Sequence, residues 1–255
     1  MSKLPKENQF LDLSDYGRPI AVKIAKSLKN TSLTPVDLTY CFLLAGLLAI
    51  VGILNHSYWV AAFFLILKSI LDAADGELAR MKRTPSYTGR YLDSIFDFIL
   101  NLGILLAIGQ ITHHSIFMVL FAFFGVQLQG TLYNYYYVIL RNKYKGDTTS
   151  RIFEDKAPKA FENEKQQNVT VLFTIYRACY GLFDKIIYKI DTQAINSSYL
   201  PNWFMMCVSI FGLGFQLLLI GLFLVMGFKE YIIPFFIGYT LLIFAFIGLR
   251  KFINR

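Results

Sequence analysis

Cysteine and histidine are scarce in this chain, with three of each. Cys41, Cys179 and Cys207 lie far apart and form no CxxC or zinc-type spacing, so neither a disulfide framework nor a structural Cys/His metal site is indicated. Charge is scarce too: 16% of residues are Asp, Glu, Lys or Arg, against roughly a quarter in average soluble domains. What fills the space is apolar, with 55% hydrophobic and 16% aromatic residues and a mean hydropathy of +0.47 over 255 residues. That balance excludes a disordered chain, a collagen-like fibre and an ordinary soluble enzyme. It points to a protein whose solvent is mostly lipid. The net charge of +8 would suggest nucleic acid in a soluble protein. In a chain this apolar it raises a question of topology instead, and no nucleic-acid partner is expected.

Six apolar runs are long enough to be membrane spans, at residues 37–54, 57–81, 88–112, 115–141, 202–227 and 231–249. The links at Asn55-His56, His113-His114 and Phe228-Lys229-Glu230 are very short, which predicts three consecutive antiparallel helical hairpins. Of the 25 Lys and Arg residues, 23 fall on one side of this arrangement. That side is expected to be cytosolic, with both termini inside. The fold class expected is an all-α membrane protein of six transmembrane helices plus an N-terminal interfacial amphipathic helix. Four segments follow: a cytosolic N-terminus (1–36), spans one to four (37–141), a cytosolic and interfacial loop (142–200), and spans five and six with a cytosolic C-terminus (201–255).

The first 36 residues lack an apolar core and a cleavage site, so no signal peptide is expected there. Residues 19–30 carry Ile20, Ile24 and Leu28 at four-residue steps, with Lys23, Lys26 and Lys29 towards the other side, as in a short helix lying among headgroups. Thr34 and Pro35 mark the turn into the first span. The first part of the long loop is polar and is expected to be exposed. Residues 168–190 are apolar and aromatic but interrupted by Arg177 and Asp184, which predicts interfacial helices rather than a seventh span. No internal repeat or inverted pair of broken helices is visible, which argues against a transporter.

Acidic residues in or beside spans are functional candidates by default, because burying them is expensive. Four occur in the stretch DAADGELARMKRTPSYTGRYLDSIFD. Asp72 and Asp75, three residues apart, share a face at the end of the second run, and Gly76 and Ala79 continue it with almost no side chain. Gly89, Asp93 and Asp97 share a face of the third. Two antiparallel helices thus bring two acids each to a narrow cleft, with room for a flat or phosphorylated ligand. Four carboxylates this close cannot all stay ionised without cations. Lys68 and Arg80 can supply two charges; bound metal is the alternative. Oxygen-only ligands select hard ions such as Mg²⁺, Mn²⁺ or Ca²⁺. Two such ions ~4 Å apart would clamp a pyrophosphate, and one acid could take a proton from an attacking hydroxyl.

The eight positions Asp72, Asp75, Gly76, Ala79, Arg80, Gly89, Asp93 and Asp97 match D-x2-D-G-x2-A-R-x8-G-x3-D-x3-D, which resembles the signature of the CDP-alcohol phosphotransferase family. A chance match in a chain this long has a probability on the order of 10⁻⁷ from average residue usage. The family's layout of six spans after an interfacial helix is similar to the one read here. The resemblance implies a phospholipid-synthesising enzyme. It would move a phosphate-linked alcohol from a CDP-linked donor onto an acceptor hydroxyl at the cytosolic membrane surface, releasing CMP. It implies that Asp72, Asp75 and Asp93 hold two divalent cations, Mg²⁺ or Mn²⁺, with Asp97 contributing to the second. Asp97 would also be the general base. Gly76, Ala79 and Gly89 would leave room for the cytidine nucleotide, and Arg80 would pair with an acid or a phosphate. A homodimer is also implied. The Glu77-Leu78-Ala79-Arg80 run resembles members that handle inositol phosphate or CDP-linked small alcohols, and Val36 stands where the family usually has Asn.

Other polar residues have plainer readings. Lys68 is expected to pair with Asp72, four residues on. Arg18, Arg90, Arg141 and Lys143 fit the positive-inside bias, with an anion pocket for a phosphorylated acceptor as the rival. Gln127, Gln129, Tyr133 and Asn134 are expected to be interhelical hydrogen-bond partners rather than ligands. Asn101 continues the Asp93–Asp97 face and would orient Asp97. His56, His113 and His114 are expected in outside turns without a catalytic role. Two rival functions remain, a carrier with an acidic cation-binding cleft and a non-catalytic scaffold.

Overall fold

The computed structural model describes residues 4–144, 154–197 and 199–254, and no strand occurs among them. Helix α1 is Arg18–Leu28, followed by α2 (Pro35–Leu54), α3 (Tyr58–Lys82), α4 (Tyr87–Ile111) and α5 (Ile116–Lys143). After the loop come α6 (Gln166–Ile190), α7 (Asn202–Val208), α8 (Leu213–Val225), α9 (Ile232–Tyr239) and α10 (Leu242–Ile253).

The helices begin and end where local chemistry dictates. Thr34 caps α2 in a reciprocal capping box, its backbone N–H donating to Asp37 at 2.6 Å, and Pro35 follows in the first turn. Ser86 caps α4 by accepting from the Gly89 N–H at 2.8 Å. Arg83 ends α3 in the left-handed conformation, with φ 55°, and His56 and His113 take φ 57° and 55° in the two tight links. Between α2 and α3 the backbones approach closely. A side chain at Gly52 would lie 3.0 Å from the Ala61 backbone nitrogen.

Among the described residues, four segments are long and apolar enough to cross a membrane: α2, α4, α5 and Lys229–Ile253, the last made of a 3₁₀ turn with α9 and α10. The segments Asn202–Phe211 and Leu213–Val225 meet at 53° and make a fifth when taken as one span. Helix α3 is the exception among the six expected runs. It is 25 residues long, but Lys68, Asp72, Asp75, Glu77, Arg80 and Lys82 crowd it from its eleventh residue onward. The bend in the fifth run has a tertiary cause. Gly212 is extended, the N-terminal segment packs Ser14 against Gly212 and Gly214, and the Leu13 N–H donates to Ser209 Oγ at 2.9 Å.

The three-hairpin expectation holds only in part. Helix α2 packs along both α3 and α4, whereas α8 packs chiefly on α3, and α9 on α5 rather than on α8. One apolar core joins these helices through Ala49, Ile53, Leu65, Ile104, Ile220 and Phe236. Helix α1 leaves Lys23, Lys26 and Lys29 exposed, and its buried face is offset from the expected stripe. Ala21 and Ala25 are buried against Ile70, Ala74 and Leu78 of α3, while Ile20 is exposed. The small alanines allow the closer approach.

The loop differs most from expectation. Residues 145–153 lie outside the described residues. Residues 154–165 do not simply hang in solvent: Glu154 and Glu164 bind the start of α4. Residues 168–190 fall within one continuous helix, α6, which packs on α4 and α5 through Phe173, Tyr176, Tyr180 and Phe183.

Candidate functional site

The cleft of the DAADGELAR stretch is built on α2. Helices α3 and α4 each pack on α2 and little on one another, which leaves a trough between them with α2 as its floor. From that floor Thr39, 2% exposed in an otherwise apolar helix, donates a hydrogen bond to Asp75 at 2.8 Å. Phe42, one turn later, lies under the Lys68 ammonium, 4.8 Å from nitrogen to ring centroid.

The structure brings together three of the four sequence-expected acids. Asp72, Asp75 and Asp93 each offer a carboxylate oxygen, and these atoms all lie within 4.8 Å of one another. Asp93 Oδ1 is buried and has no hydrogen-bond partner among the described residues. A buried carboxylate oxygen without a donor is costly unless a cation meets it. The donor set is all oxygen, so the chemistry fits a hard divalent ion. Asp97 is placed differently. It pairs with Lys68, which is fully buried and also reaches Asp72 at 3.2 Å. The expected Lys68–Asp72 pair is therefore present, but Lys68 bridges two acids and does not reach the surface.

Gly76, Ala79, Arg80 and Gly89 all line the same open cleft as the acids. Arg80 Nη2 stands 3.1 Å from Glu77 Oε1, an ion pair by distance. Its geometry leaves Nε and Nη2 without a hydrogen-bond acceptor among the described residues. Glu77 also pairs with Arg18, which pairs with Asp15, so a four-residue charge chain ties the N-terminal segment and α1 to α3. Burial works against the Arg18 charge, but the Asp15 and Glu77 carboxylates outweigh it and raise its pKa above the ordinary arginine value.

Sequence reasoning missed several of these groups. Glu77 sits inside the motif at a variable position, and Thr39 was visible as a hydroxyl in an apolar run. Glu164 was not separable from other loop acids. It accepts from Ser86 Oγ at 2.8 Å, the Thr88 N–H at 2.6 Å and the Tyr87 N–H at 3.1 Å, which places a carboxylate on the N-terminus of α4. Burial would raise the Glu164 pKa, but these donors, Thr88 foremost, hold it below the ordinary glutamate value. Glu154 pairs with Arg90 and accepts from Tyr91 Oη at 2.8 Å. On α6, Tyr180 donates to the Ser94 carbonyl at 2.9 Å, and Asp184 faces the cleft. Burial, then the Glu154 carboxylate, pushes Asp184 up to about 7 against the opposing charge of Arg90.

The interhelical role expected of the fourth-run polar residues is filled by some of them. Gln129 donates to Thr240 Oγ1 at 2.9 Å and accepts from Gln216 at 2.9 Å, whereas Tyr133 donates to Asp12 of the N-terminal segment, outside any helix. Asn101 lines the cleft one turn beyond Asp97, whose described partner is Lys68. His56 and His113 lie in the tight links, away from the acids.

Compared with curated proteins, the chain matches none. The family model for CDP-alcohol phosphatidyltransferase matches residues 32–211, a span that begins just before the α2 cap, contains Asp72, Asp75, Asp93 and Asp97 and ends at the bend before α8. A model match over well over half of the chain, carried by helices that converge on one carboxylate cluster, identifies this integral membrane protein as a member of the CDP-alcohol phosphatidyltransferase family.

Proposed function

We propose that this chain transfers a phosphate-linked alcohol from a CDP-linked donor, such as CDP-diacylglycerol, to an acceptor hydroxyl, and releases CMP. The observation that carries the reading is the convergence of Asp72, Asp75 and Asp93 around the unpartnered Asp93 oxygen. In this reading the three acids, with Asp97 beside them, would hold two divalent cations, Mg²⁺ or Mn²⁺. Such ions supply charge neutralisation of the diphosphate and of the leaving CMP.

The chain's own residues do the rest. Thr39 fixes the rotamer of Asp75 through its hydrogen bond. Lys68 holds the Asp97 carboxylate at the cleft wall. The acceptor oxygen attacks the donor's β-phosphorus, the new O–P bond forms as the P–O bond to CMP breaks, and the hydroxyl proton passes to Asp97. Gly76, Ala79 and Gly89 leave space for the nucleotide. Arg80, steadied by Glu77, offers its uncommitted N–H groups to a phosphate oxygen.

Helix α3 serves as the second of six spans in this reading. At about 37 Å it is long enough, and its charges gather at the end that opens to the cleft. The bias of basic residues supports a cytosolic position for that end, where a lipid arriving sideways and a polar molecule arriving from water can meet. A homodimer is the assembly proposed. The test is purified full-length protein in detergent with Mg²⁺, CDP-diacylglycerol and a panel of alcohols, following CMP. The Asp97→Asn variant is expected to lose turnover while still binding CDP. Absence of CMP with every donor and acceptor pair refutes the enzyme; wild-type rates in Asp97→Asn refute the base.

A further inference from the structure

Lys68 is a charged group that the bias of basic residues towards one membrane face does not explain. It lies one helical turn before Asp72 on α3 and is 0% exposed. Its ammonium is fixed from three helices at once. Asp72 of α3 accepts from it at 3.2 Å, Asp97 of α4 is its closer partner, and the Phe42 ring of α2 lies beneath it at 4.8 Å. An ammonium held in this way does not snorkel to water, and its two acids are what compensate its burial.

The four acids of the cleft therefore divide unequally. Asp72, Asp75 and Asp93 offer oxygens within 4.8 Å of one another, and Asp93 Oδ1 is buried without a partner among the described residues, so this trio is open to a cation. Asp97 stands outside the trio, with Oδ1 committed to Lys68. Asp72 belongs to both groups. A second divalent ion shared by Asp72 and Asp97 would have to settle beside a fixed positive charge already bound to those two carboxylates. Repulsion between the two charges, over a floor made by Phe42, opposes it. A small hard ion also needs about six oxygens and commonly takes some of them from substrate phosphates. A diphosphate supplies such oxygens, together with negative charge that offsets Lys68.

We propose that Lys68 stands in for one of the two cations in the nucleotide-free protein. The cleft by itself then takes one divalent ion, at Asp72, Asp75 and Asp93, and takes the second only when a diphosphate adds its oxygens. This rests on the two-cation transferase reading above and adds the order in which the cations bind and the residue that sets it.

The experiment counts ions rather than turnovers. Full-length protein in detergent is stripped with EDTA, dialysed and titrated with Mn²⁺ by calorimetry, with free Mn²⁺ read by electron paramagnetic resonance. Nucleotide-free wild type is expected to bind one ion, with any second one at least about hundredfold weaker. With CDP present it is expected to bind two. Lys68→Met keeps an unbranched side chain and removes the charge. It is expected to take two ions without CDP, with Kd values within about tenfold of each other. Thermal unfolding shows whether this variant is folded. If it is not, Asp97→Asn decides, because its carbonyl still accepts from Lys68. Without CDP its first ion should bind within about threefold of the wild-type Kd, and a weakening of about tenfold or more would place Asp97 among the ligands of that ion and overturn the proposal. Two equal ions in nucleotide-free wild type, or a single ion in folded Lys68→Met, also overturns it. One ion in wild type with CDP present overturns both the proposal and the two-cation reading. Failure to release CMP with any donor and acceptor pair, alongside the expected ion counts, refutes the transferase and leaves the role of Lys68 standing.

Discussion

Replacing Gly76 by alanine separates the fold from the site. Gly76 follows Asp75 in the middle of α3 and lines the cleft. A methyl group there would meet only the tip of Arg80, at 3.5 Å from Nη1, 3.6 Å from Nη2 and 3.9 Å from Cζ. These are ordinary contact distances to a flexible side chain, and no backbone atom of another segment is as close. Alanine inside a helix is favoured over glycine by about 0.8–1.0 kcal/mol. The metal-free, substrate-free protein is therefore expected to be as stable as wild type or more so. The same methyl projects into the space assigned to the nucleotide. An extra methyl group in a filled site costs about 1–3 kcal/mol. At 1.36 kcal/mol per decade, kcat/KM should fall by about fivefold to 150-fold. Thermal unfolding in detergent reads the first quantity, and CMP release with CDP titration calorimetry reads the second. Wild-type kcat/KM in Gly76→Ala would show that no substrate atom occupies that space. A clear loss of stability would show that the glycine serves the helix packing and not the ligand.

Three further expectations follow from other contacts. Arg250 and Asp191 form an ion pair that is 3% and 0% exposed in its side chains, with Tyr136 Oη donating to the same carboxylate at 2.7 Å. Arg250→Met strands that acid and should lower the unfolding free energy by about 3–5 kcal/mol, most of which adding Asp191→Leu should restore; denaturation in mixed micelles checks it, and a double variant no more stable than the single one refutes it. Glu164 has a folded pKa below its unfolded value, so its hold on α4 is complete above the ordinary glutamate range and is lost as pH falls through the folded value. Protease nicking within residues 154–165 should accordingly be slow at neutral pH, fast in Glu164→Gln, and equal in the two only in acid. Chelation with EDTA should stop CMP release and Mg²⁺ or Mn²⁺ should restore it, with Asp93→Asn raising the required concentration by at least about tenfold.

Local pattern suffices where a feature is decided by residues close together in the chain. The helix start at Thr34-Pro35 was legible because capping is a matter of three or four adjacent residues. The meeting of Asp72, Asp75 and Asp93 was legible because helical periodicity and one short turn bring them together. The pairing of Lys68 with Asp97, 29 positions away, was not, nor was the burial of Lys68 over Phe42. Each depends on α2 standing beneath both α3 and α4, and hydropathy runs carry no information about which runs touch.

The same division explains the departures. Composition and motif were enough for an all-helical membrane chain with an acidic cleft, because lipid solvation and helix period act residue by residue. The bend at Gly212, the Ala21 and Ala25 face of α1, the seat of Glu164 on α4 and the open carboxamide of Gln127 were settled by packing between segments remote in the chain. Glu77 shows the boundary most clearly. Its position inside the motif was plain, yet its role came from Arg18, 59 residues upstream, because an ion pair is defined by two ends and a linear reading holds only one of them at a time.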